Sequence, residues 1–281
     1  MNEYGKEKKG GVFMNKTILG NSLEYFKTLE NESIDLILTD PPYNTTDCKW
    51  ESKLNWDDWW TEWKRIIKPT GTIVLTCQMP VLADIVSSGL DWYRHRWIWE
   101  KDKCGNFLAA KAGPLKYTED VLVFQERGYN KAWNNNGKAK GIYNPQMREG
   151  TGKARGTNSE RFGLSATTIN NRPKYNKLIA NPETDGKVRY PKDVIKFTVP
   201  HRKHERIHPT QKPVLLFEYL IKTYTNKGMI VLDCFAGSMT TAIACLNTGR
   251  NYICIEQDEE MYNKAKERIA KYEYEQKSKL F

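Results

Sequence analysis

Apolar positions along the chain fall into short β-rich runs and longer runs with helical spacing, and the two kinds alternate at both ends of the sequence. Lys16 to Leu19 predicts a short strand and Ser22 to Leu29 a short helix. Ile34-Asp35-Leu36-Ile37-Leu38 predicts a buried strand that stops at Asp40-Pro41-Pro42, because consecutive prolines cannot donate to a ladder. Between Asp57 and Ile67, Trp59, Trp60, Trp63, Ile66 and Ile67 recur on one helical face, and Pro69-Thr70-Gly71 predicts a break after it. Thr72 to Thr76 reads as a strand and Val81 to Val86 as a helix. Trp92 to Trp99 alternates aromatic with basic residues, the pattern of a half-buried strand, and Val121 to Phe124 predicts another. Beyond Pro213 the predicted elements are helix Val214 to Tyr224, strand Met229 to Leu232, helix Thr240 to Leu246, strand Tyr252 to Ile255 and helix Glu259 to Ala270. Strands alternating with helices imply an α/β fold with a parallel sheet.

The middle of the chain has a different texture. Gln125 to Arg206 is rich in Asn, Gly, Pro, Lys and Arg, and its 18 basic residues exceed its 7 acidic ones by 11. That excess is about the whole net charge of +10. Interleaved Tyr129, Trp133, Tyr143, Phe162, Tyr175 and Tyr190 argue against a purely disordered linker, and a basic segment carrying aromatics suits contact with a nucleic acid. The expected organisation is therefore residues 16–124 and 207–281 as one catalytic domain, with 125–206 inserted. Residues 1–15 are polar, lack the apolar core of a signal peptide, and are read as a disordered lead-in. No apolar run approaches the length of a membrane span. The six cysteines form no C-x-x-C pair, and several sit in apolar runs such as Ile253-Cys254-Ile255, which suits reduced thiols and a cytoplasmic location.

Two segments carry chemistry. The first, Met229 to Thr241, runs from strand through Asp233-Cys234-Phe235-Ala236-Gly237-Ser238 into a helix, so that small residues and free helix N–H groups meet a ligand. Glu256 ends the next strand, 23 residues after Asp233, where a carboxylate can accept from both hydroxyls of a ribose. The second is Asp40-Pro41-Pro42-Tyr43. The Asp40 carboxylate and the Pro41 carbonyl offer two acceptors to one amine, and Tyr43 offers a stacking face. An exocyclic base amine is a poor nucleophile because its lone pair is delocalised into the ring. Two acceptors on its hydrogens favour a pyramidal nitrogen, and edge hydrogen bonds with stacking are how flipped bases are held.

With both motifs in place, the chain resembles the DNA amino-methyltransferases, and the order of motif, basic region and cofactor loop is similar to the beta-class N6-adenine/N4-cytosine enzymes. His208-Pro-Thr-Gln-Lys-Pro213, Leu19-Gly-Asn-Ser22, Pro114-Leu-Lys-Tyr-Thr-Glu119 and Tyr190-Pro-Lys-Asp-Val194 extend the resemblance over roughly Lys16 to Ala270. It implies a seven-stranded, circularly permuted Rossmann-like sheet that binds S-adenosylmethionine (AdoMet) at its carboxyl edge, and double-stranded DNA as partner. It further implies that Asp40, Pro41, Pro42 and Tyr43 bind and activate the target base. Asp233, Phe235, Ala236, Gly237, Ser238 and Thr240 would line the cofactor pocket beside Asp40, with Glu256 on the ribose and Asn21 near the adenine. Thr210 and Lys212 would reach the methionine carboxylate, and 125–206 would hold the target-recognition region. Relatives often form homodimers.

One departure stands out. The family loop usually reads Gly-Ser-Gly, whereas this chain has Gly237-Ser238-Met239. A non-glycine residue at positive φ there costs on the order of 1–2 kcal/mol, and its side chain would crowd the methionine end of the cofactor. Three readings stay open: N6-adenine methylation by direct in-line transfer, favoured by Asp at position 40; N4-cytosine methylation; and a DNA-binding relative impaired through Met239. No Pro-Cys dipeptide of the kind used for C5-cytosine chemistry occurs. His201, His204 and His208 have spacings that a metal site on a helix would use, but they lie in a basic run flanked by Pro200 and Pro209, and no metal is expected. The tryptophans from Trp50 to Trp63 are expected to pack the core, with Trp50 left open as a stacking residue.

Overall fold

A computed structural model describes residues 15–43, 54–105, 107–126, 141–150, 188–200 and 206–278. Residues 1–14 of the lead-in, Cys48, Trp50, Tyr129, Trp133, Phe162, Tyr175, His201 and His204 lie outside the described residues. The chain divides into two compact units, Met1–Asn144 with Asp193–Phe281, and Pro145–Lys192. The described part of the second unit is an antiparallel pair of two-residue strands, Arg148–Glu149 and Val188–Arg189. There Arg148 Nε donates to the Tyr190 carbonyl at 3.1 Å. This unit is narrower than the basic segment 125–206, because Val194–Lys196 is a strand of the main sheet.

In chain order the main unit contains β1 (Lys16–Leu19), α1 (Ser22–Phe26), β2 (Ile34–Thr39), α2 (Trp56–Ile66) and β3 (Ile67–Cys77). Then come α3 (Val81–Ser88), β4 (Tyr93–Glu100) and β5 (Thr118–Phe124). With β6 and β7 the strands of the small unit, it continues with β8 (Val194–Lys196), α4 (Val214–Tyr224), β9 (Ile230–Asp233), α5 (Thr240–Thr248), β10 (Asn251–Glu256) and α6 (Glu259–Ser278). The sheet order is β1-β10-β9-β2-β3-β5-β4-β8. It is the permuted Rossmann-like methyltransferase order, with eight strands instead of seven and a mixed sheet instead of a parallel one. β5 runs antiparallel to both β3 and β4, and β8 adds a parallel edge beside β4. The three residues of β8 are too few for a periodic signal, so the sequence pattern does not announce the extra strand. Nor does Pro69-Thr70-Gly71 end an element. Ile67 already pairs with Ile34, and the following residues bulge out before Thr72 pairs with Leu36, which accommodates a proline that cannot donate.

Two apolar layers cover the sheet. On one side Trp59, Trp60 and Trp63 of α2 join Phe26, Val81 and Ile85; on the other Leu216, Phe217, Leu220 and Ile221 of α4 join Ala242, Ala244 and Cys245 of α5. The tryptophans of α2 therefore serve as core. β9 pairs with β10 on one side and β2 on the other, and the two crossovers leave in opposite directions. That is the switch point at which open α/β sheets bind ligands. Asp35 helps to join β9 to β2. Its carboxylate accepts the Ile230 amide at 2.9 Å and the Lys68 ammonium at 2.7 Å.

Met239 caps the start of α5 in the left-handed region, φ 53° and ψ 40°, as the glycine usual in the resembled loop would allow. Its side chain, however, is fully buried in the core layer with α4 and α5. Backbone strain of about 1–2 kcal/mol is thus set against burial of a large apolar side chain. Removal of a buried methionine costs about 2–5 kcal/mol, so Met239→Gly is expected to destabilise the protein by a net ~1–3 kcal/mol even though it relieves the strained backbone. Urea unfolding of the variant measures this; a more stable variant would show that strain outweighs packing.

Candidate active site

The loops after β2 and β9 open onto one cavity of about 690 Å³ within the main unit. Every residue that the resemblance assigns to the target base or the cofactor lines it: Asn21, Asp40, Pro41, Pro42, Tyr43, Thr210, Lys212, Asp233, Phe235, Ala236, Gly237, Ser238, Thr240 and Glu256. Met239 is not among the lining residues, since its side chain turns into the core. The crowding expected at the methionine end of the cofactor does not arise.

On the β9 side the walls combine a glycine backbone, a carboxylate and an aromatic face. Gly237 has φ 46°, and a methyl group added to it would meet no atom within 4 Å, so its backbone faces open space. Its amide donates to Glu256 Oε2 at 2.7 Å, and the Asp258 amide donates to Oε1 at 2.9 Å. Two of about four lone-pair directions on that carboxylate are thereby used, leaving two for a diol. Phe235 presents an apolar wall backed by Trp59, ring centroids 4.6 Å apart. Asn21 caps α1 through its side chain, accepting the Glu24 amide at 3.2 Å, and the preceding Gly20 amide donates to the Glu256 carbonyl at 2.9 Å. A 690 Å³ cavity of this lining fits AdoMet in size and donor set.

Asp233 is the buried hinge of this loop. It accepts from Thr39 Oγ1 at 2.7 Å, from Thr241 Oγ1 and from the Phe235 amide at 3.2 Å. Burial pushes its carboxyl up to about 6, against these hydrogen bonds, which favour the ionised form. Its role is to tie the ends of β2 and β9 to the first turn of α5.

On the β2 side, four charges alternate in a row. Lys212 Nζ donates to Asp40 Oδ2 at 2.6 Å and lies 3.5 Å from Glu119 Oε2; Lys101 Nζ lies 3.0 Å from Glu119 Oε1. The side chains of Lys212, Glu119 and Lys101 are 6%, 11% and 8% exposed. Asp40 Oδ1 accepts from Tyr43 Oη at 2.5 Å and from Thr76 Oγ1. Lys212 also stands 5.3 Å from the centre of the Tyr43 ring. Burial alone would lower the Lys212 ammonium; Asp40 and Glu119 override it and raise it above its ordinary value. Burial alone would raise the Glu119 carboxyl, but Lys212 and Lys101 bring it below its usual value. Burial, then Asp40 and Glu119, raise the Tyr43 hydroxyl well above its ordinary value, so it stays protonated.

The two residues that the resemblance assigns to the cofactor carboxylate also have protein partners. Lys212 meets the Asp40 and Glu119 carboxylates, because a buried ammonium needs compensating charge. Thr210 is exposed, with Oγ1 3.0 Å from His208 Nδ1. Glu119 and Lys101, which sequence reasoning does not single out for the site, stand behind the cavity-lining Lys212 as a chain of ion pairs. The Pro114 to Glu119 motif is the available signal, but only the pairing of β5 with β3 and β4 brings Glu119 to the site. Among the described residues, no group of three or more His, Cys, Asp or Glu could hold a metal, and no helix is long and apolar enough to cross a membrane.

A permuted Rossmann-like sheet with a cavity at its switch point, lined by a glycine loop, a strand-end glutamate and a carboxylate-proline motif, has the architecture of an AdoMet-dependent methyltransferase. Residues 34–267 match the N6/N4 methyltransferase family described as "DNA methylase". The chain is 30% identical to the type II methyltransferase M.HpaI of Haemophilus parainfluenzae over 90% of this chain and 74% of that one. It is also 30% identical to the DNA adenine methyltransferase YhdJ of Escherichia coli (strain K12), over 87% of this chain and 79% of that one. Its fold is similar to that in the crystal structure of the M1.HpyAVI-SAM complex, with a TM-score of 0.59, 22% identity and coverage of 91% of this chain and 99% of that one. The chain belongs to the N6/N4 DNA methylase family and is an AdoMet-dependent DNA methyltransferase.

Asp233 makes a testable contribution to stability. A carboxyl whose folded value lies above its unfolded value, about 3.9, stabilises most at low pH and loses that contribution as pH rises through about 6. Asp233→Asn, which cannot ionise, should therefore gain stability relative to the parent as pH rises from about 4.5 to about 7.5. Urea unfolding of both proteins at the two pH values measures it; a difference independent of pH would show that Asp233 does not titrate in this window.

Proposed function

We propose that the enzyme transfers the methyl group of AdoMet to N6 of a flipped-out adenine in duplex DNA at a specific sequence, with Asp40, Pro41 and Tyr43 holding the base. The observation that carries the reading is the state of Asp40. Its carboxylate faces the cavity and takes three protein donors, Tyr43, Thr76 and Lys212. About one lone-pair direction then remains on Oδ2. That position accepts one hydrogen of the amine while the Pro41 carbonyl accepts the other. AdoMet, when bound, supplies an already activated methyl group. Positioning and electrostatics do the remaining work, with no covalent intermediate on the protein.

Lys212 holds the Asp40 side chain in place through a 2.6 Å hydrogen bond, and Glu119, 3.5 Å from the same ammonium, shares its charge so that the Asp40 carboxylate retains acceptor strength. In this reading Glu119 is a positioning residue that acts through Lys212. The aspartate at position 40 favours adenine, as does the similarity to a relative named a DNA adenine methyltransferase. The basic excess of 125–206 supports its assignment as the target-recognition region. Five free cysteines among the described residues, four of them buried, support a reducing, cytoplasmic setting. A homodimer belongs to the same reading on the strength of the resemblance.

Transfer of labelled methyl to unmethylated DNA, followed by nucleoside mass spectrometry, is expected to give N6-methyladenine and none with Asp40→Ala. N4-methylcytosine would overturn the choice of base, and full activity of Asp40→Ala would overturn the mechanism. Glu119→Gln is expected to lower kcat about ten- to a hundredfold while leaving the KM for AdoMet unchanged. A loss confined to KM would place Glu119 in cofactor binding.

A further inference from the structure

The connection between β4 and β5, residues 101–117, carries the most exposed consecutive apolar pair among the described residues. Phe107 is 67% exposed and Leu108 87%. They form the single 3-10 turn Phe107–Ala109, closed by the Ala110 amide donating to the Phe107 carbonyl at 3.2 Å. A large aromatic and a leucine held side by side in water gain free energy wherever a partner covers them.

Three observations say what that partner is. The first is position. β5 starts beside the end of β3, with Asp120 opposite Cys77, and Leu75 of β3 lies opposite Thr39, the residue before Asp40. The loop therefore leaves the same edge of the sheet as Asp40. The second is attachment. At the neck of the loop the Lys101 amide donates to the Tyr117 carbonyl at 2.7 Å, and the Lys101 ammonium binds Glu119 at 3.0 Å, the carboxylate that also contacts Lys212. The base of the loop is thus continuous with the buried charges around Asp40. The third is charge. Lys103 and Lys111 are exposed on the loop, and its one acidic residue, Asp102, accepts the Val199 amide at 2.9 Å. An apolar tip flanked by ammonium groups complements base stack and phosphates together.

We propose that this loop is a DNA-facing element of the enzyme: Phe107 and Leu108 enter the base stack beside the target nucleotide, and Lys103 and Lys111 meet the adjoining phosphates. Extrusion of a base leaves an unstacked gap, and an apolar side chain that fills it stabilises the opened duplex. The inference rests on DNA methylation but not on which base is modified. A product of N4-methylcytosine would leave it standing.

The test uses the full chain, AdoMet and native unmethylated genomic DNA. Phe107→Ala/Leu108→Ala is expected to raise the KM for DNA about tenfold with unchanged affinity for AdoMet and an unchanged Tm. Lys103→Gln/Lys111→Gln is expected to flatten the dependence of log affinity on log salt by roughly one unit for each phosphate no longer neutralised. An unchanged KM for DNA in the apolar double variant would overturn the proposal. So would a parallel drop in AdoMet affinity, which would place the defect in the cofactor pocket. Sedimentation of the same variant covers the other occupant: a dimer that dissociates while DNA kinetics stay unchanged would assign the tip to a second copy of the chain and also overturn it.

Discussion

The parallel pairing of β2 with β9 is the constraint on which the rest of the site depends. Leu36 lies opposite Val231 and Ile37 opposite Leu232, strands nearly two hundred residues apart in the chain. Both strands are buried throughout, so each must find apolar neighbours on both faces. Asp35 and Asp233 bond across the pair near its two ends, one to the Ile230 amide and the other to Thr39. Once this register is set, the proline motif and the glycine loop leave the sheet side by side. Both segments therefore line one cavity.

The same geometry explains why so many charges can be buried behind one wall of that cavity. Isolated, each of Lys212, Glu119 and Lys101 would be costly to remove from water. Arranged in alternation with Asp40, each ion has an opposite neighbour within 3.5 Å. The arrangement holds the Asp40 carboxylate in place on the cavity wall. It also links the β4–β5 connection to the Asp40 loop, through Lys101, Glu119 and Lys212.

Met239 shows how a local rule and a tertiary outcome separate. A left-handed residue between Ser238 and the first turn of α5 follows from the chain's need to turn sharply from strand into helix, and the backbone does adopt it. Whether a side chain there would crowd the cofactor depends on where it points. It points into the layer between α4 and α5, where it adds to the core.

By itself, the sequence determined which segments line the cavity, because prolines, glycines, a strand end and a helix start act through backbone geometry that is local. Asp40 to Tyr43, Asp233 to Thr240 and Glu256 were legible for that reason, as was the alternation of strands and helices. Tertiary structure alone decided the partners. The antiparallel entry of β5 beside β3 and β4 carries Glu119 to Lys212, turns Lys212 toward Asp40, and sets Phe107 and Leu108 at the same edge. Strand register between distant segments is settled by burial of whole faces, and no spacing along the chain encodes it.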